Sequence, residues 1–174
     1  MEPRECTRFE AVVLPHLDAA YTLARYLTHD RHDAEDAVQD AFLRALRHFD
    51  GFRGGDARSW LLAIVRNTCY TFRQRNRRDT LTTEFDEELH SDPAESEETD
   101  AVALRGALRE SLTQAVSRLP LEFREVIVLR ELQGLSYKEI SEVAGVPVGT
   151  VMSRLARARQ RLQRALGPHL EEKP

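Results

Sequence analysis

Gly134-Leu-Ser-Tyr-Lys-Glu-Ile-Ser-Glu-Val-Ala-Gly-Val-Pro-Val-Gly-Thr-Val-Met-Ser-Arg-Leu-Ala-Arg-Ala-Arg-Gln-Arg-Leu-Gln-Arg164 reads as two helices joined by a tight turn. Ser136 can cap a helix with its hydroxyl while Glu139, three residues on, reaches back to the cap's own N–H. Ile140, Val143 and Ala144 supply the buried stripe, and Gly145 stops the helix. Val146-Pro147 turns the chain, and Pro147 favours a new first turn because its ring sets φ and its missing N–H is no loss there. This is helix-turn-helix grammar.

In the second helix Val151, Leu155, Ala158, Leu162 and Leu166 recur at helical steps and form one inward stripe. Thr150, Ser153, Arg154, Arg157, Arg161 and Arg164 make a polar, cationic stripe on the opposite face. Five arginines and no acid lie between Pro147 and Gly167. Arginine suits both tasks of a DNA-reading helix: its planar fork bonds a guanine edge bidentately and its permanent charge neutralises phosphate. Residues near a recognition helix's N-terminus reach the bases. Thr150, Ser153, Arg154 and Arg157 are therefore expected nearest a groove, and Arg159, Arg161 and Arg164 on phosphate or in solvent. A solvated basic helix is the bland alternative.

At 174 residues and 41% hydrophobic content the chain can pack one ordinary domain or two small ones. A net charge of -4 argues against nucleic acid only until its distribution is seen. Residues 1–78 carry +2, residues 79–100 carry -10 without one basic residue, and residues 101–174 carry +4. No apolar run approaches a membrane span, and no signal peptide is evident, so a cytoplasmic protein is expected. Cys6 and Cys69 are too few and too far apart for a disulfide framework, and Cys69 reads as a small buried hydrophobe.

Phe9, Val12, Val13, Leu17, Ala20, Tyr21 and Ala24 follow helical spacing, with Pro15 expected to kink the helix or mark its first turn. A second helix is expected from Asp33, as cap, to about Phe49 on Ala34, Ala37, Val38, Ala41, Phe42, Ala45 and Leu46. The glycine-rich loop Asp50 to Ala57 precedes a third, striped by Trp60, Leu61, Ile64, Val65, Thr68 and Phe72. Thr80 to Asp100 is too acidic and too poor in apolar residues to order itself. A helix resumes on Leu104, Leu108, Leu112, Ala115, Val116 and Leu119, stops at Pro120, and another follows on Phe123, Val126, Ile127 and Leu132. Nothing alternates like a strand. The expected fold is all-α: two small helical domains, 1–78 and 104–168, joined by a flexible acidic linker, 79–103, with a tail at 169–174.

Two further faces are unusual. Opposite Trp60 and Ile64 lie Arg66, Asn67, Tyr70, Arg73, Gln74 and Arg77, and Ala57 to Arg78 holds six arginines and no acid. Arginine interleaved with an aromatic ring and amides suits single-stranded or opened nucleic acid, where backbone charge and base stacking must both be met. Tyr70 as core beneath solvated arginines is the alternative. On the second helix Asp36, Gln39, Asp40, Leu43 and Arg47 share an outer stripe; an apolar residue framed by charges suits a protein partner, with the charges setting orientation. Cys6, His16, His29 and His32 lack the tight paired spacing of a metal site, so no metal or other cofactor is expected. Neither a nucleophile–base pair nor a phosphate-cradling loop is present, and catalysis is not expected.

Taken together, the chain resembles the extracytoplasmic-function group of sigma-70-type RNA polymerase sigma factors along nearly its whole length. Asp33-Ala-Glu-Asp-Ala-Val-Gln-Asp-Ala-Phe-Leu-Arg-Ala-Leu46 is similar to the polymerase-binding helix of sigma region two, and Phe52-Arg-Gly-Gly-Asp with Ser59-Trp-Leu-Leu-Ala-Ile-Val-Arg-Asn67 to its promoter-melting part. Leu119-Pro-Leu-Glu-Phe-Arg-Glu-Val, Leu135-Ser-Tyr-Lys-Glu-Ile and Val148 to Arg159 resemble region four. The resemblance implies that Asp36, Gln39, Asp40, Leu43 and Arg47 meet the polymerase β′ clamp, with the β flap a further contact. It implies that Phe52, Arg53, Ser59, Trp60, Arg66, Asn67, Tyr70, Arg73 and Arg77 capture and melt the minus-ten element. Thr150, Ser153, Arg154, Arg157, Arg159 and Arg161 would read the minus-thirty-five element. The linker would thread near the polymerase active site, and an anti-sigma factor would cover these surfaces until a signal releases them. Met152 departs from the family, many of whose members carry Lys or Arg there. A stand-alone helix-turn-helix regulator is the rival reading.

Overall fold

The computed structural model describes residues 3–80 and 100–170. Most of the expected acidic linker and the last residues of the tail lie outside the described residues. Among those described, every regular element is a helix.

Helix α1 (Pro3–Val13) and helix α2 (Leu17–Thr28) are separated by a 3-10 turn, Leu14–His16, that contains Pro15. A proline ring cannot continue the hydrogen-bond ladder, and the chain bends where the sequence predicts. Helix α3 (Arg31–Arg47) buries Ala34, Ala37, Val38, Ala41 and Ala45, four of them alanines, so it lies close against α2 and α4. Its cap is Asp30, not Asp33: Asp30 has extended backbone and its Oδ1 accepts from the Asp33 N–H at 2.9 Å. The expected cap residue is thus the third residue inside the helix, where its amide is one of the orphan donors a cap must satisfy.

Phe49, expected at the end of that helix, stands instead in the following 3-10 turn, Phe49–Gly51, and is buried. Its ring meets Phe9 edge-on at 5.3 Å and stacks on Phe52 at 6.0 Å. Helix α4 (Ala57–Thr80) buries Leu61, Leu62, Val65, Thr68 and Cys69, while Trp60, Ile64 and Phe72 are half-buried at its margins. Burial pushes the Cys69 thiol up to about 12, which leaves it an inert packing group.

In the second half, helix α5 (Asp100–Ser117) leads to helix α6 (Leu121–Ile127), which runs into one π turn, Val128–Leu132. There the Gln133 N–H reaches back five residues to the Val128 carbonyl at 3.0 Å. Leu132, expected on the apolar stripe, is 52% exposed because that wider turn rotates it outward. Helix α7 (Tyr137–Ala144) has the reciprocal Ser136–Glu139 capping box and ends at Gly145, whose φ of 66° is open to glycine without strain. Helix α8 (Val148–Leu170) buries Val151, Leu155 and Ala158 and half-buries Leu162 and Leu166. Leu104, Leu108 and Leu112 of α5 are 68%, 51% and 46% exposed; only the end of that helix, at Val116, reaches the core.

The halves do not stand apart. Helix α2 packs on α6, α4 packs on α7, and the two sets of buried residues form one continuous cluster. Two arginines reinforce the seam at the C-terminal end of α2. Arg124 of α6 donates to the carbonyls of Tyr26 and Leu119 at 2.8 Å each, and Arg73 of α4 donates to the Leu27 carbonyl at 3.0 Å. Cations there complement the partial negative charge of the helix end. Burial, and then the nearby Arg73 charge, lower Arg124 to about 10, so it stays protonated at neutral pH although its buried Nε has no partner.

His29 ends α2 in a left-handed conformation, φ 65°, with its N–H on the Arg25 carbonyl at 3.1 Å. Burial, followed by the charges of Arg124, Arg73 and Arg25, lowers its imidazole to about 4. The unfolded chain, with a histidine near 6.5, takes up this proton first, so folding free energy is lost as pH falls from about 6.5 to about 4. His29→Asn keeps a residue that tolerates left-handed backbone and removes the titration. Between pH 7.5 and pH 5.0 the urea midpoint of the variant should fall less than that of the parent; parallel shifts would contradict the assignment. Ser136→Ala, which deletes the capping hydroxyl, should cost about 1 kcal/mol in the same measurement.

Candidate functional site

Part of the arginine-rich face of α4, at Arg66 and Tyr70, is turned toward the second half of the molecule. Glu125, on α6, is fully buried with its carboxylate against that face. Arg66 Nε donates to Glu125 Oε1 and Arg66 Nη2 to Oε2, while the Tyr70 hydroxyl donates to Oε2 at 3.0 Å. The Arg66 guanidinium lies 3.9 Å from the centre of the Tyr70 ring, so cation, ring and carboxylate form one stack. Burial works against the Arg66 charge, but hydrogen bonding and attraction to Glu125 outweigh it and hold the pKa above the ordinary value. Burial and the adjacent carboxylate push Tyr70 up to about 12, so its hydroxyl is a donor at neutral pH. Tyr70 is thus neither simple core nor a free stacking platform.

The other residues expected on this face divide by exposure. Asn67 is exposed and its Oδ1 accepts from Arg66 Nη1 at 3.2 Å; Gln74, Arg75, Arg77 and Arg78 are exposed too. Arg73 is half-buried and occupied with the α2 carbonyl, and burial lowers its pKa. Arg77 borders a small groove with Asp33, Phe72 and Asn76.

The loop before α4 forms a pocket of about 420 Å³, bordered by Phe52, Arg53, Asp56, Ser59 and Trp60, with Glu142 of α7 at its edge. Phe52 and Trp60 present aromatic surface with ring centres 5.0 Å apart, and Arg53 is exposed. Ser59 is buried and hydrogen-bonds the Asp56 carboxylate, which that bond, before any other cause, holds below its ordinary pKa. Gly54 and Gly55 adopt φ of 91° and 102°, the conformations that let the loop fold over the helix start.

On α8 the expected reading face points to solvent. Ser153, Arg157, Arg161 and Arg164 are exposed, and Thr150 and Arg154 half-exposed. Ser153 Oγ donates to the Thr150 carbonyl at 3.0 Å, and Arg159 pairs with Glu131 at 2.8 Å across the surface. Arg161 lies 5.2 Å from the centre of the Phe123 ring. Met152 is 52% exposed among these cations. On α3, Asp36, Gln39 and Arg47 are exposed, Leu43 is 49% exposed, and Asp40 pairs with Arg44 at 2.9 Å. Asp36 and Gln39 also border a shallow groove with Leu17, Tyr21 and Phe42. A larger groove of about 890 Å³ runs between the halves, past Tyr21, Tyr26, Leu112, Ile127, Leu132 and Leu162.

Sequence reading missed the residues that join the halves: Glu125, Arg124, Arg58 and Gln133. Arg58 Nη2 donates to both the carbonyl and, at 2.9 Å, the Oε1 of Gln133, whose own amide donates to the Ala19 carbonyl at 3.4 Å. The available signal was Arg124-Glu125 set inside the apolar run Phe123 to Leu129. Charges in such a run need partners supplied from elsewhere.

Residues 12–79 match the family model for Sigma-70 region 2, and residues 109–162 that for Sigma-70, region 4. The chain is 35% identical over 167 residues to the ECF RNA polymerase sigma factor SigE of Mycolicibacterium smegmatis, an overlap of 94% of this chain and 63% of that one, so it spans under two thirds of that relative. It is 36% identical over 171 residues to the RNA polymerase sigma-H factor of Pseudomonas aeruginosa, covering 94% of this chain and 89% of that one. Among solved structures it is similar to the sigma factor RpoE of Bartonella quintana in complex with the anti-sigma factor NepR, at a TM-score of 0.77, 30% identity, and 92% and 97% coverage of the two chains. A second is CnrH in complex with the cytosolic domain of CnrY, at a TM-score of 0.63, 27% identity, and 92% and 88% coverage.

Tyr70→Phe removes the neutral donor from Glu125 and keeps the ring. It should destabilise the chain by about 1 to 2 kcal/mol, since a buried carboxylate loses one charge-assisted bond. Urea unfolding followed by helicity checks this, and an unchanged midpoint would mean the bond carries no weight.

Proposed function

Because the chain belongs to the sigma-70 family, in its extracytoplasmic-function group, we propose that it binds core RNA polymerase, directs it to promoters and helps open the duplex there. The observation that carries this reading is a pair of helices, α4 and α8, each rich in arginine and free of acid over the face-bearing stretch, set in two separate halves of an otherwise acidic chain. One basic helix is common; two in different domains suit a bipartite promoter. Residues 1–78 and 104–168 are the two working domains, joined by the acidic stretch 79–103.

The roles follow from chemistry. Thr150, Ser153, Arg154 and Arg157 lie toward the start of α8 and read base edges of the minus-thirty-five element, where bidentate arginine contacts discriminate guanine. Arg161 neutralises phosphate, and so does Arg159 once it parts from Glu131. Phe52, Arg53, Ser59 and Trp60 line the pocket that takes a base extruded from the minus-ten element. Unstacking a base costs a few kcal/mol, so a pocket that rewards the correct one couples melting to recognition. Arg66, Asn67, Tyr70, Arg73 and Arg77 hold the opened strand along α4.

Asp36, Gln39, Asp40, Leu43 and Arg47 of α3 dock on the β′ clamp, and the second domain on the β flap. The protein performs no covalent chemistry; it supplies binding energy and positioning to an enzyme that does. It works in the cytoplasm, and no helix of the described residues is long and apolar enough to cross a membrane. An anti-sigma factor controls it, a reading supported by the solved relative from Bartonella quintana in complex with the anti-sigma factor NepR. Leu104, Leu108 and Leu112 and the groove between the domains are apolar surface of the kind a helical partner covers. A stand-alone regulator would account for α7 and α8 but leaves the outer faces of α3 and α4 without a task.

Purified core polymerase with this chain should initiate at discrete sites on fragments of the native genome, and uniform failure would reject the reading. Asp40→Arg should abolish pulldown of core enzyme with helicity intact. Arg157→Ala should weaken initiation at cognate promoters by about 1 to 3 kcal/mol if it contacts a base; an equal loss on scrambled promoters would reassign it to phosphate.

A further inference from the structure

We propose that Met152 reads the methyl group of a thymine in the major groove of the upstream promoter element, and so fixes one T·A pair in the sequence this chain prefers. This deepens the reading of α8 as the helix that meets the minus-thirty-five element and rests on it.

The buried side chains Val151, Leu155 and Ala158 fix which way α8 faces, and at about 3.6 residues per turn its outer surface divides into rows of residues four apart. Val148, Met152 and Ala156 make one row, and all three are exposed, Val148 by 40% and Met152 by 52%. Gly149, Ser153 and Arg157 make the next row, each of them exposed, and Thr150 and Arg154, half-exposed, lie beyond it. Across the start of α8 the surface thus passes from apolar to polar to cationic. An exposed apolar side chain standing alone needs no explanation. Met152, however, shares its flank with Val148 and borders Ser153, in the part of a recognition helix that enters the groove.

The local backbone favours close approach from outside. A Cβ on Gly149 would meet nothing within 4 Å, so packing inside the protein does not call for glycine there, and glycine weakens a helix. Its bare backbone lets a base edge come near the side chains of Met152 and Ser153.

The thymine methyl is the apolar group that base edges offer in the major groove; the other groups read there are hydrogen-bond donors and acceptors. An unbranched thioether adapts its shape to such a methyl. A Lys or Arg at this position would seek phosphate or the acceptors of guanine, and Met152 can bond neither, so the departure at Met152 changes which base is preferred. Ser153 adds a second constraint beside it. Its Oγ donates to the Thr150 carbonyl at 3.0 Å, which leaves the hydroxyl lone pairs to accept from outside. Adenine N6 and cytosine N4 are the amino groups that donate in the major groove. An acceptor next to an apolar contact matches adenine paired with thymine.

The test uses holoenzyme assembled from core polymerase and the full chain, as parent, Met152→Ala and Met152→Arg, each with helicity confirmed. An exposed methionine replaced by a good helix former should leave the fold intact. Each holoenzyme selects from a duplex pool built on a native fragment at which the chain initiates and randomised through the upstream element. The parent should enrich thymine at one position that Met152→Ala relaxes and Met152→Arg turns toward guanine. Deoxyuridine, which lacks only the methyl, then replaces that thymine. The parent should lose about fourfold in affinity, the worth of one buried methyl group, and Met152→Ala should lose nothing further. A parent that enriches an upstream sequence without thymine, or one whose every thymine tolerates deoxyuridine, overturns the proposal and leaves the promoter reading intact. So does a Met152→Ala variant that keeps the parent's sensitivity to deoxyuridine. A holoenzyme that initiates nowhere, or enriches no upstream sequence at all, rejects the promoter reading and this proposal with it.

Discussion

A carboxylate with no access to water must have a cation and a donor beside it, and Glu125 finds both on a helix 55 to 59 residues away in sequence, at Tyr70 and Arg66. That requirement organises the molecule. Removing one partner of such a pair leaves a buried charge uncompensated, at a cost of about 3 to 5 kcal/mol. Helix α6 therefore cannot pack on the first domain in any register that separates Glu125 from Arg66. Arg124, the neighbouring residue, meets the same requirement in the opposite sense by donating to the carbonyls of Tyr26 and Leu119. Two adjacent charges, one turned to α4 and the other to the end of α2, set the orientation of one domain on the other.

The same contacts tie stability to function. Arg66 and Tyr70 are proposed to hold an opened strand, yet here they satisfy a buried acid, so interdomain packing and strand binding draw on the same two side chains. The seam between the halves joins these polar anchors to a hydrophobic cluster that runs through both. The exposed leucines of α5 and the groove beside them are apolar surface that the described residues leave uncovered.

Legibility in the sequence followed the range of the interactions. The capping box at Ser136 and Glu139, the stop at Gly145, the turn at Pro147 and the inward stripe of Val151, Leu155 and Ala158 depend on residues within one or two helical turns, and all appear as read. The bend at Pro15 is of the same kind. Errors arose where the signal was unusual. His29 ends α2 in a left-handed conformation normally marked by glycine or asparagine, so the sequence carries no stop signal there and points to Asp33 where the cap is Asp30. The π turn at Val128–Leu132 shifts the helical phase by part of a turn and moves Leu132 from the core to the surface. A stripe of Leu104, Leu108 and Leu112 announces an amphipathic helix but not whether anything within the chain covers it.

By itself, then, the sequence determined the helices, the capping box at Ser136 and Glu139, the placement of arginine on two helices and the family to which they belong, because each rests on local backbone chemistry or on a motif of adjacent residues. Tertiary structure alone decided which of those arginines are available. Arg77 and Arg157 face solvent, Arg73 is committed to Leu27, and Arg66 is committed to Glu125. The physical reason is burial: an isolated charged helix face costs nothing in water, but once another domain removes the water, each charge must take the partner within reach, and that partner is chosen by packing across tens of residues of chain.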